Sequence, residues 1–225
     1  MPHLKRYSIP KFWPMTKKGK IFAVKPMPGP HPKDNCIPLQ VMVRDVLGYA
    51  ENAKEAKKIL SDGKLLVDKK MRKDPKFPVG LMDVVEIPEA KQYFRVSVNA
   101  RGLFLQDIGE KDAGKKLCRI NGKSTVKGGL HQLNLHDGRN IPVKKDVYKV
   151  GDSVVISIPD QKVLKHYRFE KGERAMIVAG RNIGVKGKIK DIRERKNMLE
   201  KAMVLLESKR GEIQTLRDYI LVGEI

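Results

Sequence analysis

The sequence predicts an α+β chain made of several small domains, and three observations carry that prediction. Eight of its thirteen prolines fall within the first 38 positions, where they leave no room for regular structure. Between Ile37 and Ile87, apolar residues recur twice at helical spacing and then give way to strand patterning. Beyond residue 90 the pattern changes again, to short apolar runs separated by glycine-containing turns. A length of 225 residues with 40% hydrophobic content is enough for two or three modest cores. We expect boundaries at 1–36, 37–90, 91–169 and 170–225.

The first segment, 1–36, reads as an extended basic arm. Residues 1–33 contain eight Lys or Arg and no carboxylate. Pro10, Pro14, Pro26, Pro28, Pro30, Pro32 and Pro38 block helices and ladders, so the arm is expected to order only on a partner. Its removal is expected to leave a folded, soluble remainder. Tyr7, Phe12, Trp13 and Phe22 interleave with Lys5, Arg6, Lys11, Lys17, Lys18 and Lys20. Aromatic and basic residues mixed in this way suit docking on RNA, where cations meet phosphates and rings meet unpaired bases; the alternative for some of these aromatics is packing on the first domain.

The unit at 37–90 opens at Pro38. Leu39, Met42, Val43, Val46 and Leu47 form the stripe of a first helix. Asn52 with Glu55 resembles a capping box for a second helix, whose inward face is Ala53, Ala56 and Leu60. Gly63 is its expected stop. Lys64–Val67 reads as a strand, 68–76 as a turn region and Val84–Ile87 as the partner strand. From Lys54 to Lys76 there are nine cations against four carboxylates. Lys54, Lys57, Lys58, Lys64, Lys69, Lys70, Arg72 and Lys73 surround one helix and one hairpin. Lysines on a lone helix are ordinarily its solvated face. Concentrated on a short turn they repel one another, and a polyanionic partner explains them better.

Residues 88–92 read as a hinge. Tyr93–Val98, 103–108, 117–120 and 133–135 are then strands of a small β-rich domain. Asn121-Gly122 and Asp137-Gly138 are tight-turn dipeptides, the second closing a hairpin between Leu135 and Ile141. Ser153–Ile158 is a further strand, stopped by Pro159. From Lys171 to Arg195, Gly172, Gly180, Gly184 and Gly187 punctuate a basic stretch carrying Arg181, Lys186, Lys188 and Lys190. A nucleotide-binding phosphate loop is excluded there, because its pattern requires a glycine at Asn182 and a hydroxyl at Ile189. In the nearly neutral remainder, 213–222 is either a strand or a short helix.

Net charge is +21 with a pI near 9.9, which points to a nucleic acid or an anionic surface as partner. Membrane is the weaker choice: no apolar run approaches the roughly 20 residues of a spanning helix, and the proline-rich N-terminus lacks a signal-type apolar core. Cys36 and Cys118 are widely separated, as reduced cytosolic thiols would be. His131 and His136, five residues apart without a second ligand pair, make a poor metal site.

Ala56, Gly63, Val67, Asp68, Pro75 and Asp83 follow, in order, the pattern of the S-four-type RNA-binding domain, and the unit resembles that family; the glycine usual after the Asp is Lys69 here. Residues 171–195 resemble the KOW motif, which implies a small β-barrel with a glycine loop at 170–225. His3-Leu-Lys-Arg6, Pro10-Lys-Phe-Trp13, Gly29-Pro-His31, Arg72-Lys-Asp-Pro75, Gly80-Leu-Met-Asp-Val84 and Tyr148-Lys-Val-Gly-Asp-Ser153 extend the likeness over essentially the whole chain. Together they are similar to the S-four-e family of small-subunit ribosomal proteins of archaea and eukaryotes. The ending at Ile225 resembles the archaeal members.

That resemblance implies a cytoplasmic, ribosome-bound structural protein. Its partners would be small-subunit ribosomal RNA and neighbouring small-subunit proteins, with no membrane, small-molecule substrate, cofactor or catalytic residue. The alternative is a free RNA-binding regulator of transcription or translation, which would share the same chemistry. An enzyme is the third class, since S-four-type modules also accompany RNA-modifying enzymes, but no catalytic constellation stands out here.

Overall fold

The computed structural model describes residues 3–13, 15–144, 146–195, 197, 200–209 and 211–224. Pro14, one of the helix-blocking prolines, and Met198, at the head of the C-terminal segment, lie outside them. The chain divides into two units, Met1–Ser97 with Gly102–Gly114, and Val98–Arg101 with Lys115–Ile225.

In the first unit the 37–90 region folds around a single core. Leu39–Val41 begins as α-helix and widens into a π turn over Met42–Val46, burying Leu39, Val41, Met42 and Val43. The second helix is Ala53–Ser61. The Glu55 carboxylate accepts the backbone N–H of Glu51 at 3.0 Å and of Asn52 at 3.4 Å, and the Asn52 side-chain amide at 3.0 Å. The Asn52 amide first, and then those two N–H groups, hold Glu55 below the usual carboxylate range. Ala56 and Leu60 face the core, whereas Ala53 is exposed, because the first turn of the helix projects past the packed surface. Gly63 ends the helix at φ 75°, a left-handed conformation that a Cβ would disfavour.

The stretch 68–76 is more structured than a turn region. Leu66–Val67 pairs with Lys70–Met71 through a two-residue turn in which Asp68 and Lys69 both have positive φ, 51° and 60°. On its other side Leu66–Val67 pairs with Val84–Ile87, as the sequence suggests. Pro78–Gly80 forms a separate ladder with Cys36–Pro38. Gln92–Asn99 then pairs with Val84–Ile87, Ile87 standing opposite Gln92. The five-stranded sheet therefore runs on through Gln92–Asn99 to Gly102–Asp107. The 88–92 stretch, expected as a hinge, is a one-turn 3₁₀ helix, Pro88–Ala90, between two paired strands of this sheet. Strands expected in a central domain complete the first one, because their apolar face packs on the same core through Val96, Phe94, Leu103 and Leu105.

The arm departs furthest from expectation. Leu4, Ile9 and Trp13 belong to the core cluster, and Phe12, Met15, Ala23 and Val24 pack against it. Trp13 donates its indole N–H to the Cys36 carbonyl at 2.8 Å and is 3% exposed. The N–H of Met27 reaches the Lys76 carbonyl at 2.9 Å. A Cβ on Gly102 would lie 1.9 Å from the Cβ of Phe12, and one on Gly80 would lie 2.3 Å from the imidazole of His31. The prolines do exclude helix and broad sheet, but the chain they keep extended lies across the module as a strap, held by buried apolar side chains that the charge pattern conceals.

In the second unit one five-stranded antiparallel sheet has the order Asn140–Val143, His131–Leu135, Lys115–Thr125, Ser153–Ser157, Val163–Tyr167. Asp137-Gly138 closes the hairpin of its first two strands, with Gly138 at φ 77°. Asn121-Gly122 does not turn the chain. It forms a bulge within the long strand Lys115–Thr125, where pairing with His131–Leu135 shifts register between Ile120 and Gly122. Lys116 and Asp137 make an ion pair of 3.0 Å with both side chains 1% exposed. Burial opposes the Asp137 charge, but Lys116, His136 and Arg139 outweigh it and hold the carboxyl below its usual range.

A second five-stranded sheet has the order Gly211–Leu216, Met203–Ser208, Lys186–Arg193, Arg174–Ile177, Ile220–Val222. The segment 213–222 is strand, one 3₁₀ turn at Arg217–Tyr219, and strand again. Ile177, Ile189, Leu206 and Val222 fill its core. Asp152 joins several segments: its carboxylate accepts the N–H of Lys149 at 3.0 Å and of Phe169 at 2.9 Å, and meets His166 Nε2 at 2.7 Å.

Two outcomes follow from the docked strap. Trp13→Ala removes a large buried ring and strands the Cys36 carbonyl, so urea unfolding followed by circular dichroism should show a loss of about 3–5 kcal/mol, and deletion of 1–33 should destabilise the first unit further. Burial, with Asp34 and Asp83 nearby, pushes the Cys36 thiol up to about 12, so a thiol reagent at pH 8 should leave Cys36 unmodified until denaturant is added.

Candidate nucleic-acid interface

The pattern residues of the 37–90 module turn inward and organise its backbone. Asp68 is 7% exposed, and its Oδ1 accepts the N–H of Val84 at 2.9 Å while its own N–H donates to the Val84 carbonyl at 2.8 Å. Both bonds clamp the tight turn to the neighbouring strand, which is how two L-residues hold a conformation costing each about 1–2 kcal/mol. Asp83 is 1% exposed; its Oδ2 accepts the Gly80 N–H at 2.9 Å and its Oδ1 meets His31 Nε2 at 3.0 Å. The two carboxylates of the pattern are therefore committed to the fold.

The cations separate into three groups. Lys54, Lys57 and Lys58 on the second helix are exposed, as are Lys64, Lys70, Lys73 and Lys76. Lys64 pairs at 3.2 Å with exposed Glu89, an arrangement contributing little in water. Lys69 and Arg72 turn back toward protein. The Lys69 ammonium donates to Glu86 Oε2 at 2.8 Å, where the carboxylate is 3% exposed, and lies 5.6 Å from the centre of the Tyr93 ring. Arg72 holds its guanidinium carbon over the Phe77 ring, 4.4 Å from its centre, a cation–π contact. The hairpin thus presents Lys70 and Lys73 outward and commits Lys69 to a buried carboxylate.

On the strap, Lys5, Lys11, Lys17, Lys18 and Lys20 are exposed. Arg6 is half-buried and donates to the Lys18 carbonyl at 3.2 Å, closing the loop between the paired strands Leu4–Lys5 and Phe22–Ala23. Trp13 is corrected outright: buried in the core, it offers no face to a base. The exposed aromatics of the strap are Tyr7 and Phe22, 71% and 54% accessible. Interleaving with lysines marks all four aromatics alike in the sequence, and only packing separates inner from outer.

In the second unit, Lys186 and Lys188 flank Gly187 and precede buried Ile189, so the period of two sets both ammonium groups on the outer side of one strand, and Lys190, also exposed, stands where the register shifts between Ile189 and Asp191. Lys190 pairs with Glu212, whose carboxylate raises its pKa, and register places Lys188 opposite Glu207. Arg181 is exposed in the loop before that strand. The glycines there serve the chain itself: a Cβ on Gly184 would lie 2.5 Å from the Asn99 backbone, and one on Gly187 2.5 Å from the Glu207 carbonyl oxygen.

Among the described residues no three His, Cys, Asp or Glu side chains gather into a metal-binding group, and no helix is long and apolar enough to cross a membrane. His136 accepts the backbone N–H of Arg119 through Nδ1 at 3.2 Å, which is a structural role.

Residues 2–34 match the RS4NT (NUC023) domain, 37–85 the S4 domain and 90–163 the ribosomal family S4e. The small ribosomal subunit protein eS4 of Methanothermobacter thermautotrophicus is 46% identical, with 98% of this chain and 91% of that one aligned. Its namesake from Methanocaldococcus jannaschii is 45% identical over 98% and 93%. In the crystal structure of the 30S ribosomal protein S4e from Thermoplasma acidophilum, a chain 31% identical superposes with a TM-score of 0.72, covering 84% of this chain and 95% of that one. Identity at this level over nearly the full length, with three family models in consecutive order, makes the chain a member of the S4e family of ribosomal proteins.

Proposed function

We propose that this chain is a structural constituent of the small ribosomal subunit that binds folded small-subunit ribosomal RNA through phosphates and RNA shape. The observation that carries the reading is the near full-length likeness to proteins named for the small ribosomal subunit. Supporting it, the carboxylates of the domain pattern are turned inward while the helix lysines and the hairpin's Lys70 and Lys73 are outward, leaving a cationic surface on the module. The A-form major groove is too deep and narrow for side chains to read, so positioned lysines meeting phosphates and riboses suit a scaffold role, which needs no catalysis. Neighbouring small-subunit proteins and a cytoplasmic location belong to the same proposal.

Residues 170–225 are proposed to be a KOW-type barrel. A five-stranded antiparallel sheet whose last strand, Ile220–Val222, returns to pair with its first, Arg174–Ile177, supports this. The exposed cations of that unit, Arg181 and Lys186 foremost, would add a further RNA-binding surface.

Two measurements test the proposal. On sucrose gradients of native extract, the chain should co-sediment stoichiometrically with small-subunit RNA at moderate and at high salt; a chain that stays at the top in both is a free factor. In RNA titrations across salt, Lys70→Ala with Lys73→Ala should flatten the log–log slope by about 0.7–0.9 for each phosphate that the variant no longer neutralises. Lys69→Ala should leave the slope nearly unchanged and instead lower stability by about 2 kcal/mol, since it deprives buried Glu86 of its charged partner.

A further inference from the structure

The two short strands at the start of the chain have two unlike faces. Leu4 stands opposite Ala23, and Lys5 opposite Phe22. Directly opposed residues of an antiparallel pair share a face, and successive residues alternate between faces. Leu4 is 4% exposed and Ala23 packs on the same core, so that pair faces inward. Lys5 and Phe22 are then on the outer face. His3, two residues before Lys5, joins them: its ring lies 5.3 Å from that of Phe22 at an interplanar angle of 45°. The Arg6 N–H donates to the Ile21 carbonyl at 2.9 Å beyond the last ladder pair, and the chain then enters a one-turn 3₁₀ helix, Arg6–Ser8, in which Tyr7 is 71% exposed.

We propose that this outer face, with Phe22 and Lys5 at its centre and Tyr7 exposed in the adjoining turn, is a platform on which unpaired bases of single-stranded RNA stack. The proposal rests on the RNA-binding reading above and deepens it by naming the form of RNA. The first 33 residues contain no carboxylate, and Lys5, Lys17, Lys18 and Lys20, on the same strap as the aromatic rings, are all exposed. A polyanion is the partner that such a charge rim attracts. The rings narrow the choice further, because a helical duplex hides its base faces in the stack and would leave both exposed aromatic side chains unmatched. An unpaired strand offers both the phosphates for the lysines and π faces for the rings. An apolar protein surface would match the rings but not the rim of cations.

The test uses the full chain and three labelled probes: a short oligoadenylate, an abasic ribose-phosphate strand of equal length, and a blunt RNA duplex with the same number of phosphates. Phe22→Ala and Tyr7→Ala should each weaken oligoadenylate binding about tenfold while leaving the abasic strand and duplex unchanged. The salt slope should not move in either variant, since neither ring neutralises a phosphate, and Phe22→Trp should restore binding. Lys5→Ala should lower the slope on every probe. For the two alanine variants, emission from Trp13, the only tryptophan, shows whether the strap is still docked; Tyr7, the more exposed ring, is the variant least able to disturb packing. Equal losses on all three probes, or no loss on oligoadenylate with the strap docked, would overturn the platform while leaving RNA binding intact. Failure of the unaltered chain to bind any probe, or larger structured RNA, would overturn the functional reading itself and this proposal with it.

Discussion

A buried pair, His31 with Asp83, joins the three parts of the first unit. Asp83 accepts the Gly80 N–H and so fixes the turn before Val84–Ile87, and through Oδ1 it meets a histidine delivered by the strap. Both side chains are almost completely buried, so neither can be satisfied by water if the other leaves. Gly80 is required because any Cβ would occupy the place of the imidazole ring. From this point the strap runs back through Gly29 against Pro78 and forward to the Cys36–Pro38 ladder. The geometry of the module is thus set by a residue outside the 37–85 segment that its own domain pattern covers.

The same logic separates the two roles of charge in this protein. Carboxylates go inward where they replace missing backbone partners, as Asp68, Asp83 and Asp152 do. Ammonium groups mostly stay outside, where their charge is solvated and available. Lys69 and Lys116 are exceptions, each turned toward a carboxylate that is itself buried. A buried carboxylate without such a partner would be costly, so these lysines are tied to the fold and withdrawn from the surface. Counting cations along the chain therefore overstates the interface by the number that have such internal duties.

Much of the module was legible in sequence because it depends on local rules. The capping residues Asn52 and Glu55, the Gly63 stop and the outward helix lysines each follow from neighbours within a few positions, as does the Asp137-Gly138 turn of the second unit. Where local rules misled, a distant segment decided. Asn121-Gly122 resembles a turn, but its strand is paired on both sides, with His131–Leu135 and Ser153–Ser157, and the extra residue is absorbed as a bulge. Tyr93–Val98 alternates as any half-buried strand does, and nothing in the alternation says which sheet it will extend.

The sequence by itself determined the cationic character, the capped helix Ala53–Ser61, strand content beyond the module and the family pattern, because composition, periodicity and capping act over short separations. Only the tertiary structure decided that the proline-rich arm is a docked strap, that Trp13 faces inward while Tyr7 and Phe22 face outward, and which lysines stay on the surface. Those outcomes depend on surfaces brought together from far apart in the chain, and an aromatic residue carries no mark of the side on which its partner will lie.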